Sequence, residues 1–141
     1  MYRGLGAAAM IIIAAACFLQ ATPGVADTLR FQGQLAGNPD APNGAAAGKG
    51  AATLTLDTAT KTVSWTIEYS GMAAAANEIG CGVLDRPAPI IEINGALNSP
   101  ITGSKAIADA DIASLRAGQW FCLIGSNPGG AELGGEIKPI P

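Results

Sequence analysis

Three stretches near the start of the chain alternate apolar and polar residues with the period of two that a half-buried strand requires. In the first, Leu29, Phe31, Gly33 and Leu35 interleave with Thr28, Arg30, Gln32 and Gln34. In the second, Leu54 and Leu56 interleave with Thr53 and Thr55. The third is the cleanest: Val63, Trp65, Ile67 and Tyr69 share one face, and Ser64, Thr66 and Glu68 the other. Its β-branched and aromatic content suits a pleated surface packed on one side. Gly37 to Gly50, rich in Gly, Ala, Pro and Asn, predicts a long loop between the first two, and Asp57 to Lys61 a hairpin connection between the second and third.

Short strands are predicted at Glu78-Ile79 and at Ile90 to Ile93, separated by Asp85 to Pro89, where two prolines exclude a central strand. The four-Ala run from Ala73 to Ala76 favours helix by propensity. It lies between Gly71 and a strand, which makes loop or strand entry the better reading. Asp109 to Ala117 predicts the one helix: Ile112 and Leu115 share a face, Asp109 and Asp111 sit near the N-terminus, and Gly118 fits the position after the C-cap. The chain then closes with an apolar strand (Trp120 to Ile124), a Ser-Asn-Pro-Gly-Gly turn and a Gly-interleaved strand (Glu132 to Lys138). The pattern predicts an all-β fold, an antiparallel β-sandwich or barrel of about 6–8 short strands with one short helix near 109–117.

Residues 1–26 do not fit that pattern. Arg3 precedes an apolar run from Leu5 to Leu19, and Gly24-Val25-Ala26 then offers a small-x-Ala cleavage site before Asp27. That order is a secretory signal peptide with cleavage between Ala26 and Asp27. The apolar run is shorter than the roughly 20 residues that span a bilayer. An uncleaved anchor and a lipid on Cys17 are the lesser alternatives. Residues 27–141 form one domain, expected in the periplasm or outside the cell with no stable membrane span after cleavage.

Composition narrows the function classes. Removing Arg3 leaves seven Lys and Arg against eleven Asp and Glu, a net charge of −4. No two basic residues are adjacent, whereas binding a phosphate backbone needs clustered Lys and Arg. A nucleic-acid partner is therefore not expected. The chain has no histidine, so neither a Cys–His nor a Ser–His–Asp constellation exists to activate a nucleophile.

The order Thr28-Leu29-Arg30-Phe31 to Leu35, Ala52 to Leu56, Val63 to Ile67, Leu115 to Phe121 and Ala131 to Ile137 resembles the CHRD domain, a family named for chordin and widespread in exported bacterial proteins. The resemblance covers nearly all of residues 27–141 and implies an all-β sandwich; most bacterial members have no established activity. Such domains usually carry a His-x-His pair in one strand and a further His in another. Those positions fall here on Glu78-Ile79-Gly80 and on Gly125. None is histidine, so a metal role is not carried over and no cofactor is expected.

With Cys17 removed by cleavage, Cys81 and Cys122 remain as an even pair in an oxidising compartment. Both align beside the positions where the resemblance places facing histidines, which implies neighbouring strands and a Cys81–Cys122 disulfide. Such a bridge contributes on the order of 4 kcal/mol in the chain-entropy model. Glu78, Glu132 and Glu136 are the carboxylates that a glycosidase-like site would need. Glu132 and Glu136 are expected about 13 Å apart along a strand, beyond the usual acid/base spacing, and all three are read as solvent-facing. The adjacent Trp120 and Phe121 must point to opposite faces, one into the core. No catalytic, cofactor-binding or metal residue is assigned. The expectation is an exported, non-enzymatic CHRD-like binding or structural module for an unidentified ligand or protein. The alternative is a carboxylate-dependent hydrolase or a degenerate metal-site enzyme.

Overall fold

A computed structural model describes residues 27–38, 47–126 and 130–141. The expected signal peptide with Cys17 and Ala26, most of the predicted Gly/Pro loop and part of the Ser-Asn-Pro-Gly-Gly turn lie outside the described residues. The strands are β1 (Thr28–Gly37), β2 (Lys49–Asp57), β3 (Thr62–Ser70), β4 (Glu78–Val83), β5 (Ile91–Asn94), β6 (Ile101–Ala106), β7 (Trp120–Ser126) and β8 (Gly130–Ile140). One helix, α1 (Asp109–Arg116), precedes β7.

All strand pairs are antiparallel and form one sheet in the order β5-β4-β7-β8-β1-β2-β3-β6. The sheet curls into a nearly closed barrel. Lys105 of the edge strand β6 donates from Nζ to the Ile90 carbonyl at the foot of the other edge, 2.7 Å away. Such a bond stitches the seam that the short β5 leaves open.

Alternation decides what lies inside. Phe31 and Leu35 of β1, Leu54 and Leu56 of β2, and Val63 and Ile67 of β3 are buried, while Arg30, Gln32, Thr53, Ser64 and Thr66 are exposed. Burying each large apolar side chain stabilises the fold by about 1.5–3 kcal/mol. On the other half of the barrel, Ile79 and Cys81 of β4, Cys122 and Ile124 of β7, and Leu133 and Ile137 of β8 complete the core. The Asp57 turn forms as expected: its Oδ1 accepts from the backbone N–H of Ala59 and Thr60, at 2.9 and 3.0 Å.

Helix α1 buries Leu115 and ends at Gly118, whose φ of 69° is the left-handed conformation that glycine takes without strain. Trp120 is 1% exposed and donates from Nε1 to Ser114 Oγ (2.8 Å), which in turn donates to the Asp111 carbonyl (2.9 Å). The two acidic residues of the first turn, Asp109 and Asp111, pair with Lys61 and Arg86.

The sequence pattern missed β6. Its residues, Ile-Thr-Gly-Ser-Lys-Ala, show almost no apolar face because Gly103 sits under the Trp65 ring. A Cβ on Gly103 would come 2.5 Å from Trp65 Cζ2, so a neighbouring strand supplies the apolar surface that the edge strand lacks. β5 begins one residue later than predicted, and β7 and β8 both run longer than their apolar cores.

Candidate functional site

Cys81 and Cys122 are direct cross-strand partners in β4 and β7 and form a disulfide, with Cα atoms 4.1 Å apart. Neighbouring antiparallel strands bring opposed Cα atoms to about this separation. Both sulfurs face the interior, so the residues flanking them face out: Glu78, Gly80 and Gly82 from β4, Phe121, Leu123 and Gly125 from β7. These six line a groove of about 290 Å³ on the barrel's outer surface.

The register gives the groove an order. Glu78 lies opposite Gly125, Gly80 opposite Leu123, and Gly82 opposite Phe121. Every outward pair thus contains one side chain and one glycine. The glycines leave backbone as the floor, and the side chains run from a carboxylate at one end through Leu123 to an aromatic ring at the other. Successive outward pairs are about 6.7 Å apart, so Glu78 and Phe121 stand roughly 13 Å apart along the strands. Leu84, Arg86 and Pro89, from the turn after β4, form the remaining wall, and Gly130 and Ala131 the rim on the β8 side. Leu84 is 61% exposed and Leu123 37%, two of the three large apolar residues left in water among the described residues. Isolated exposed apolar residues are ordinary, but two converging on one concavity make this groove the candidate site.

Gly134 of β8 extends the surface outward. A Cβ there would stand 2.8 Å from Phe121 Cε1 and 2.9 Å from Leu123 Cδ2, so both groove side chains lean over a backbone without side chain. Of the aromatic residues described, only Phe121 faces the groove. Trp120 is core, and Trp65 and Tyr69 lie on the inner face of β3. Burial raises the pKa of the Tyr69 phenol, whose hydroxyl donates to the Leu97 carbonyl at 2.9 Å.

The carboxylates do not gather. Glu78 lines the groove alone, and Glu136 is exposed beside Lys138. Glu132 corrects the sequence reading: it is 0% exposed rather than solvent-facing, and neither carboxylate oxygen has a hydrogen-bond partner among the described residues. The reason is a bulge. Ile124 pairs with Leu133 but Gly125 pairs with Ala131, which leaves Glu132 as the extra residue and breaks the alternation that would have turned it to solvent. The Glu132 backbone carbonyl accepts from the Asn38 N–H at 2.7 Å.

The three positions where the resemblance would put histidines, Glu78, Gly80 and Gly125, all line this groove. Only Glu78 carries a donor atom, and among the described residues no three His, Cys, Asp or Glu side chains converge to hold a metal ion. The donor set does not fit a transition metal. Among the described residues no helix is long and apolar enough to cross a membrane.

No protein-family model, no curated protein and no solved structure matches the chain.

The sequence pattern singles out Glu78, Phe121 and Gly125 without assembling a groove from them, and it gives Leu84, Arg86 and Pro89 no part in a site. A usable signal was present. Gly80 and Gly82 flank Cys81 at period two, so placing Cys81 inside puts both glycines outside on one face.

Proposed function

We propose that the chain is an exported, non-enzymatic binding module of the CHRD type, and that its ligand lies in the outer groove of β4 and β7. The observation that carries this reading is the glycine floor beneath the exposed Leu84 and Leu123. A cleft of this volume sits at the small end of ligand sites, which run from about 300 to 1,000 Å³. The apolar segment ahead of Asp27 and the Cys81–Cys122 disulfide support export into an oxidising compartment. The hydrolase reading loses ground because its second carboxylate is missing from the groove.

The test is a fragment screen by amide NMR on protein recovered from the periplasm of a Gram-negative host, with intact mass read first. The expected mass begins at Asp27 with one disulfide. Fragments with apolar rings should shift the amides of Gly80, Gly82 and Gly125, and Leu84→Ser combined with Leu123→Ser should abolish those shifts in a folded protein. Shifts that cluster elsewhere, or that survive the double substitution, would sink the groove as the binding site.

A further inference from the structure

We propose that the groove of β4 and β7 selects a small amphiphilic cation: one apolar ring or short chain carrying a single ammonium group. The inference rests on the binding reading above and adds the chemistry of the ligand.

The charges around the groove decide the sign. Arg86 is the only cation in the lining among the described residues, and its guanidinium is already ion-paired with Asp111, whose side chain is only 15% exposed. Glu78 has no ion-pair partner among the described residues, and its exposed carboxylate closes one end of the groove. Glu92 of β5 is the cross-strand neighbour of Gly80, so it stands on the same outer face. Its one contact is a neutral one, with Asn94 Nδ2 donating to Oε1 at 3.0 Å. Among the described residues the groove therefore carries one uncompensated carboxylate, Glu78, and one ion-paired arginine, with Glu92 beside it on the same outer face.

The polarity runs along a single axis. Glu78 and Phe121 belong to outward pairs at opposite ends, with Leu123 in the middle pair. An ammonium at Glu78 places an attached apolar body over Gly80 and Gly82, against Leu123 and Phe121. An anion of the same shape would meet Glu78 and Glu92 without a free cation to answer it. A neutral analogue would keep the apolar contact and lose the charge-assisted hydrogen bond. Glu78 is exposed and makes no side-chain hydrogen bond within the barrel, so it is available to a ligand without dismantling structure.

The experiment uses three probes of one shape: 4-phenylbutylamine, 4-phenylbutanol and 4-phenylbutanoate, each titrated against the mature protein by amide NMR. The amine should bind about fivefold more tightly than the alcohol, the scale expected for a partly exposed charge pair, and the carboxylate most weakly. Glu78→Gln should remove most of the amine's advantage over the alcohol and leave the alcohol unchanged, and Glu92→Gln should act in the same direction by less. Both residues are exposed, so the variants fold, and an unchanged melting midpoint verifies it. Equal affinities for all three probes, or an amine indifferent to Glu78→Gln, would overturn the cation preference while leaving the groove a binding site. If no probe moves the Gly80 or Gly125 amides, the cation preference falls and the groove loses its support as well.

Discussion

The β2–β3 hairpin and the β4–β7 pair are both antiparallel ladders, but they are held together differently. In β2–β3, the inner face is a block of fully buried side chains (Leu54, Leu56, Val63, Ile67), and the outer face is a row of exposed Thr, Ser and Glu. Cross-strand side-chain pairs stabilise such a ladder. In β4–β7, every outward pair contains a glycine, so that contribution is absent on one face. The inner face compensates with a covalent bond between Cys81 and Cys122. The lesson is that a sheet can give up side chains on its outer face, and so form a concavity, where a cross-link on the inner face secures the pairing.

This contrast makes the disulfide the most sensitive point of the molecule. Cys81→Ser should lower the unfolding free energy by about 4 kcal/mol, the chain-entropy value for a loop of this length. Adding Cys122→Ser should cost far less, because both substitutions break one bond. Denaturant unfolding of the three proteins measures this; additive losses would show that the cysteines act through packing, as in β2–β3. The hairpin's own dependence on packing is sharpened by Leu54→Ala, expected to destabilise by about 3 kcal/mol as buried leucines do. A loss under about 1 kcal/mol would mean that the neighbouring side chains collapse into the space. The smallest effect has the opposite sign. Glu132→Met replaces an enclosed carboxylate without partners by an apolar chain of similar length, and should raise stability by about 2 kcal/mol. A lowered melting midpoint would instead give Glu132 a structural partner that it lacks among the described residues.

The same contrast explains what was legible in the sequence. The strands β1 to β3 announce themselves because each has one wet face and one dry face, and period-two alternation records that difference. α1 was legible through Asp109, Asp111 and Gly118, residues whose placement follows from the partial charges and backbone needs of helix ends. β6 was hidden because Trp65, a residue of another strand, supplies the apolar cover over Gly103. Glu132 was misjudged because a bulge adds one residue to β8, and alternation counted along a single strand cannot register an insertion relative to its partner. The groove escaped for a related reason. It consists of positions without side chains, and its shape exists only once Gly80, Gly82 and Gly125 are brought side by side by the pairing of two strands 41 residues apart at their cysteines.

Cys81 lies between Gly80 and Gly82, and Cys122 between Phe121 and Leu123, so the cross-link sits directly behind the groove. The spacing of its two strands is therefore set before any ligand arrives. The ligand proposed for the cleft would order little of the protein around itself, and would avoid most of the entropy loss that weakens binding to loosely paired strands. Reduction of the bond would leave β4 and β7 joined by their backbone ladder alone, with the spacing behind the cleft less firmly fixed.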